Sequence, residues 1–346
     1  QNVFVYEVAK AISKMGIKVD VFTRWENRKA SQIVRFAKRA KVIRLKAGPR
    51  HFIAKEKFGP LMPEFVEHFL EYIRSSKVKY DLIYTHYYYS GWVGMQLKYI
   101  LKVPLIHTFH SLGIPKKIAM GDKDPSPDER TKIETQLIQK SDLIISTSPQ
   151  EKLNMIQSYR AAGNNIIVIP AGVNTRRFFP LDKNVARKKL NLPKDKYIIV
   201  FAGRMEEKKG GITVIEAASI IKRRWPKIYD KLLIYMFTGD TRKRQTREKS
   251  EKEIRHSLRD TLKRLKVGDK VVLMQGIEQE KLHYYYGAAN IVIMPSYYEP
   301  FGMVAVEAMA TGTPVVASNV GGLKWIVEDG ITGYHAEPKD TKGFAK

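Results

Sequence analysis

The sequence predicts an α/β protein built as two doubly wound domains, and three observations carry that prediction. Short apolar runs rich in β-branched residues alternate with helical patterns from one end of the chain to the other. The length of 346 residues exceeds what one hydrophobic core usually reaches. Residues 172–196 hold Pro180, Pro193 and a run of charges with little apolar content, which suits a linker or hinge. The division is expected near residue 185, giving an N-terminal domain of residues 1–185 and a C-terminal domain of residues 186–346.

In the first domain the runs at 18–22, 42–45, 82–85, 105–108, 143–146 and 166–169 read as strands. Residues 3–15 read as a helix, because Val5, Val8, Ala9 and Ile12 share one face and Gly16 follows where a C-terminal cap belongs. A doubly wound domain opens with a strand and a glycine-rich turn feeding its first helix. Gln1 is therefore expected to be internal to a longer natural protein. Residues 111–128, with Gly113, Pro115, Gly121, Pro125 and Pro127, read as a long connection of the kind that carries function. In the second domain the strands are expected at 197–202, 232–237, 270–274, 291–294 and 314–317.

Composition narrows the function. Hydrophobic residues at 44% and charged residues at 28% exclude a disordered chain. Cysteine is absent, which excludes disulfides and thiolate metal sites. No apolar run is long enough to span a bilayer and residues 1–6 do not form a signal peptide, so the expectation is a cytoplasmic protein, with peripheral membrane contact as the alternative. The formal charge of +26 attracts anions, leaving nucleic acid, acidic lipid and phosphorylated small molecules open as partners. Basic stretches lie at 35–50, 222–224 and 242–266. In the last of them Glu248, Glu251, Glu253 and Asp260 are interspersed, which marks a solvated helix. A Lys-rich surface that merely solvates the fold accounts for the charge equally well. Nucleic-acid binding is not expected, because no stacking or groove-reading motif accompanies the cations.

The chemistry concentrates in two strand-to-helix turns. Around residues 296–317 a strand ends, Glu299 follows, and a helix starts near Phe301 to Met303. The free N–H groups and dipole of that helix suit a diphosphate, and Gly302 permits close approach of a ligand. Glu307 lies one and a half turns into the helix, within reach of a ribose hydroxyl, and Glu299 is placed to hold sugar hydroxyls. Taken singly, each glutamate reads as dipole stabilisation or surface. The second turn, at 201–211, brings Gly203, Arg204 and Lys209 between strand and helix. Two cations there suit a departing nucleotide diphosphate, in place of the metal that many transferases use.

Taken together, these motifs resemble the GT-B glycosyltransferases of family 4. The resemblance rests on Glu299 and Glu307, on Gly321-Gly322, on Glu328-Asp-Gly-Ile-Thr-Gly333, and on Gly203-Arg204 with Lys209-Gly210. In the first domain Gln1 to Lys10, His86 to Gly91, Thr108 to Gly113 and Ser146 to Glu151 look like the branch holding sucrose synthase, sucrose-phosphate synthase and the glycosyl-inositol-phosphate synthases. The resemblance implies two Rossmann-like domains facing a central crevice, with retaining transfer that needs no metal and no cofactor beyond a nucleotide diphosphate sugar, such as a UDP-sugar, as co-substrate. It also implies donor binding by Gly203, Arg204, Lys209, Glu299, Phe301, Gly302, Met303 and Glu307. His110 is implied as catalytic with Glu299, Arg204 and Lys209; read from composition alone it is a histidine after a buried strand. The acceptor, a sugar or sugar phosphate, is implied to meet Gln1, Asn2, His86, Tyr87, Arg130 and Lys132. Two departures from the family stand out: Lys324-Trp325 occupies the place of the usual Pro-Glu, and the helix that closes the second domain in relatives is expected beyond residue 346. A lipid acceptor at an anionic membrane is the alternative to a soluble one.

Overall fold

The computed structural model describes residues 2–124, 126–204, 206–238 and 248–346. The chain forms two compact units. One comprises residues 1–117, 122–147 and 151–169, and the other residues 118–121, 148–150 and 170–346.

In the first unit the strands are β1 (Val19–Arg24), β2 (Ile33–Ala37), β3 (Ala40–Leu45), β4 (Ile83–His86), β5 (Leu105–Thr108), β6 (Leu143–Ser146) and β7 (Ile166–Val168). Its helices are α1 (Asn2–Lys14), α2 (Met62–Ser76), α3 (Tyr88–Leu101), α4 (Gly113–Met120), α5 (Glu129–Lys140) and α6 (Pro149–Tyr159). Strands β4, β5, β6 and β7 pair in parallel in that order, with a helix after each of the first three. A second sheet runs β1-β3-β2, in which β2 is an antiparallel edge. The core between sheet and helices is built from Ile43, Leu105, Ile144 and Ile166 on strands and from Phe69, Val93 and Leu137 on helices. The expected connection at 111–128 contains a helix, α4. Pro115 is tolerated because it stands in the first turn, where its missing N–H has no intrahelical acceptor.

The second unit holds β8 (Tyr197–Gly203), β9 (Leu232–Thr238), β10 (Val271–Gln275), β11 (Ile291–Met294), β12 (Val315–Ser318) and β13 (Gly333–Ala336). Its helices are α7 (Lys183–Lys189), α8 (Gly211–Arg224), α9 (Pro226–Lys231), α10 (Glu248–Leu265), α11 (Gln279–Ala288), α12 (Met303–Ala310), α13 (Leu323–Ile326) and α14 (Thr341–Ala345). All six strands are parallel in the order β10-β9-β8-β11-β12-β13. Successive residues of β8 face opposite cores: Ile198 and Val200 join Val292 and Ala317, whereas Phe201 joins Ile215 and Met236. Burial on both faces is why these strands read as continuous apolar runs.

The stretch expected as a linker is folded in part. Asp182 caps α7 by accepting from the Val185 N–H at 2.9 Å. Arg187, 3% exposed, donates to the Ala288 carbonyl at 3.0 Å, the Lys194 carbonyl at 2.6 Å and Asn290 Oδ1 at 2.8 Å. These bonds tie α7 to the second unit.

Candidate active site

Strand order in the second unit reverses at β8 and β11, which are hydrogen-bonded neighbours. In open α/β sheets such a reversal leaves a crevice at the carboxyl ends of the strands, and ligands bind there. Both motifs singled out in the sequence emerge at this point, since Arg204 follows β8 and Glu299 lies just after β11.

Two contacts join the loops. Lys209 Nζ lies 2.5 Å from Glu299 Oε2, and the Tyr297 N–H donates to the Lys208 carbonyl at 2.7 Å. Gly210 makes the approach possible. Its φ is +70°, and a Cβ there would stand 2.0 Å from the Pro295 carbonyl oxygen, so a larger residue would force the loops apart. Gly203 packs against the aliphatic stem of Lys209. Lys209, expected as a diphosphate ligand, and Glu299, expected as a sugar ligand, thus form an ion pair with one another.

Arg204 is paired as well. Its Nη1 lies 2.6 Å from one Glu206 oxygen, and Lys208 Nζ lies 3.0 Å from the other. Burial alone would raise the Glu206 carboxyl, but Arg204 and Lys208 outweigh it and hold the group at about 2. Burial draws Lys208 down to about 8, against the opposing pull of Glu206. Glu206 and Lys208 were not foreseen. The sequence did offer a signal, an acid set among cations in the same turn.

Helix α12 begins at Met303 behind Gly302, whose φ of +119° favours glycine and which provides no side-chain cap. The first N–H groups of the helix therefore lack intrahelical acceptors and carry its positive end. Gly321 and Gly322 back the loop: the Gly322 N–H donates to the Glu299 carbonyl at 3.0 Å, and a Cβ on Gly321 would sit 1.9 Å from that oxygen. Phe301 is buried beside it. Glu307, 6% exposed, accepts from the Tyr286 hydroxyl at 3.3 Å. Burial pushes its carboxyl up to about 7, with Tyr286 and Arg177 opposing.

In the first unit, His86 ends β4 and His110 follows β5, its neighbour in the sheet. His86 Nδ1 and His110 Nε2 are 3.0 Å apart, and the Phe4 ring meets the two imidazoles edge-on at 5.9 and 4.9 Å. Burial lowers His86 to about 4 and depresses His110 well below the usual histidine range, so both rings are neutral at pH 7. Tyr87 and His110 adopt positive φ, 77° and 59°. Such backbone is uncommon in side-chain-bearing residues and clusters at functional sites.

Around Tyr87 the first unit collects cations. Lys55 Nζ donates to the Tyr87 hydroxyl at 3.2 Å, and the Arg130 guanidinium stands 5.2 Å from the ring centroid. Arg130, 1% exposed, donates to Glu134 Oε1 at 2.7 Å, Ser126 Oγ at 3.0 Å and the Ser111 carbonyl at 2.6 Å. Lys116 bonds Asp124 and reaches Ser126 Oγ at 3.2 Å. Lys55 and Lys116 were not foreseen, because their meeting with Tyr87 and Ser126 depends on tertiary contact alone. Lys132 is exposed on α5, and Asn2 is exposed at the start of α1. Gln1 lies outside the described residues.

Comparison with known proteins agrees with this geometry. Residues 1–177 match the model described as Glycosyltransferase Family 4, and residues 182–346 match Glycosyl transferases group 1. A D-inositol 3-phosphate glycosyltransferase 2 of Catenulispora acidiphila is 34% identical over 347 residues, which are 99% of this chain and 79% of the relative. A D-inositol 3-phosphate glycosyltransferase of Streptosporangium roseum is 31% identical over 350 residues, 100% of this chain and 78% of that protein. Among solved structures, sucrose-phosphate synthase of Thermosynechococcus elongatus superposes with a TM-score of 0.89 at 34% identity, covering 100% of this chain and 82% of that one. The two parallel-sheet units, the loops meeting at the switch point and these matches lead to one conclusion: the chain belongs to the GT-B glycosyltransferases of family 4.

Proposed function

We propose that the protein transfers a sugar from a nucleotide diphosphate sugar to a phosphorylated sugar or polyol, with retention of configuration and without a metal ion. The observation that carries this reading is the meeting of the β8 and β11 loops through Lys209 and Glu299 at the switch point of the second unit. A diphosphate placed there would face Arg204, Lys209 and the positive end of α12 together.

On donor binding, Lys209 exchanges Glu299 for the diphosphate, and Glu299 turns to the hydroxyls of the transferred sugar. Glu307 takes the ribose, and Phe301, Gly302 and Met303 frame the phosphates with backbone. The bond from the anomeric carbon to the phosphate oxygen breaks as charge gathers on the leaving group, where the cations lower the barrier. The acceptor hydroxyl attacks from the same face and passes its proton to the departing phosphate, so no side-chain nucleophile is required. In the first unit the neutral His110 ring, held by His86, would offer a hydrogen bond to the acceptor rather than a charge.

A phosphorylated acceptor is favoured by Lys55 beside Tyr87, with the Arg130 guanidinium, buried and bonded to Glu134, adding its positive field behind the ring. The relatives' names point the same way, toward D-inositol 3-phosphate and a sucrose phosphate. The test is incubation with a panel of nucleotide sugars and with D-inositol 3-phosphate or hexose phosphates, in chelator, reading product configuration by NMR. Transfer with retention supports the proposal. Inversion, or transfer that stops when metal is chelated, refutes it.

A further inference from the structure

The hairpin β2–β3 carries charge of a different kind from the rest of the surface. Between Arg28 and Lys46 the chain has eight Lys and Arg residues and no Asp or Glu. Lys41 finds Asp20 at 3.5 Å and Lys46 finds Glu64 at 3.8 Å. Among the described residues, Arg28, Lys29, Arg35, Lys38, Arg39 and Arg44 have no carboxylate within ion-pair distance. Helix α10 differs, because acids interrupt its cations along the sequence. A uniformly solvated surface accounts for α10 and leaves the hairpin unexplained.

Aliphatic side chains stand among these cations. Ile33 is 48% and Val34 40% exposed on β2, an edge strand paired only with β3. Helix α1 lies against the hairpin through the Tyr6–Phe36 ring contact at 5.0 Å and the Arg39 N–H to Ser13 Oγ bond at 3.2 Å. It adds Lys10 and Lys14 to the same region.

We propose that the β2–β3 hairpin is a docking surface for a bilayer rich in anionic phospholipid. Unpaired cations meet the headgroup phosphates, and the free edge of β2 enters the interface edge-on, with Ile33 on one face of the strand and Val34 on the other. A second copy of this chain would bring the same positive charge against itself and be repelled. Nucleic acid would satisfy the cations but leave the two aliphatic side chains in water, with no exposed aromatic on β2 to stack on a base.

The test is cosedimentation with vesicles of phosphatidylcholine alone and of phosphatidylcholine mixed with phosphatidylglycerol, alongside a duplex DNA of random sequence. Binding is expected to the mixed vesicles only, weakening as salt rises. The triple variant R35Q/K38Q/R39Q should lose about a hundredfold in vesicle partition, at roughly a fivefold factor per cation near the surface. The variant I33N/V34N should also lose affinity while keeping its charge. Transfer to a soluble sugar phosphate should stay unchanged in both, which separates this surface from the active site. Equal partition of wild type and triple variant, binding to neutral vesicles, or tighter binding to DNA than to mixed vesicles would each overturn the proposal.

Discussion

Replacing Glu307 by Gln should make the protein more stable at pH 8 and leave its stability almost unchanged at pH 4. The carboxyl is 6% exposed, and burial raises it from 4.5 to about 7. A raised folded-state value means that the native protein binds the proton more tightly than the unfolded chain does. The contribution is therefore fully present below pH 4.5 and is lost as pH rises through 7. Raising the carboxyl from 4.5 to about 7 corresponds to about 3 kcal/mol, the cost of ionising the buried group. Glutamine keeps an oxygen to accept from Tyr286 and has no charge to bury, so the variant should be free of that slope. The assay is denaturant unfolding of both proteins at intervals from pH 4 to 9, comparing the difference between them at each pH. A difference that grows with pH up to about 8 supports the reasoning. A flat difference would show that Glu307 does not titrate in this window and would remove the burial argument. On the proposed ribose role, Glu307 accepts the hydroxyls as a carboxylate, so nucleotide binding near pH 7 should release protons, measurable by calorimetry in buffers of differing ionisation enthalpy.

The other predictions concern the two loops and the histidine pair. Lys209→Ala should lower turnover at least a hundredfold, the scale on which one transition-state donor acts, while costing only about 1–3 kcal/mol of stability through the lost bond to Glu299; steady-state kinetics beside thermal unfolding separate the two. Gly210→Ala should destabilise by about 3 kcal/mol or more and abolish donor binding, since the new Cβ would strike the Pro295 carbonyl. In NMR titration His86 should stay neutral from pH 8 down to 5, and His110 should take up its proton only well below the usual histidine range. Because both folded values are depressed, this pair should cost stability as pH falls below 6.5 towards 4. Arg130→Ala should cost about 3–5 kcal/mol by leaving Glu134 buried without its cation, visible as a lowered denaturation midpoint.

Most strands of the three sheets were legible because their residues are apolar on both faces, as with Ile144 in β6 and Val292 in β11. Strand β2 was missed for the opposite reason. Its run Ile33-Val-Arg-Phe-Ala37 is exposed, so no continuous apolar signal marks it. Strand β13, Gly333-Tyr-His-Ala336, is an edge strand paired with β12, and its exposed Tyr334 and its His335 leave no apolar run to mark it. Helix α7 hid among charges because it is anchored by the polar bonds of Arg187 rather than by an apolar stripe. In the site, the glycines and charged residues of the two turns could be read locally. The pairing of Lys209 with Glu299 could not, because ninety residues separate them and only the strand order brings β8 beside β11. The His86–His110 contact depends in the same way on β4 lying next to β5.

Transfer as proposed requires the cations and helix end at the β8–β11 switch point to receive a diphosphate. Calorimetric titration of the protein with a nucleoside diphosphate in chelator addresses this most directly, run on wild type, Arg204→Ala and Lys209→Ala. Wild type is expected to bind without metal, with affinity weakened by at least tenfold in each variant. Equal affinity in all three proteins, or no binding without metal, would contradict the proposed transfer.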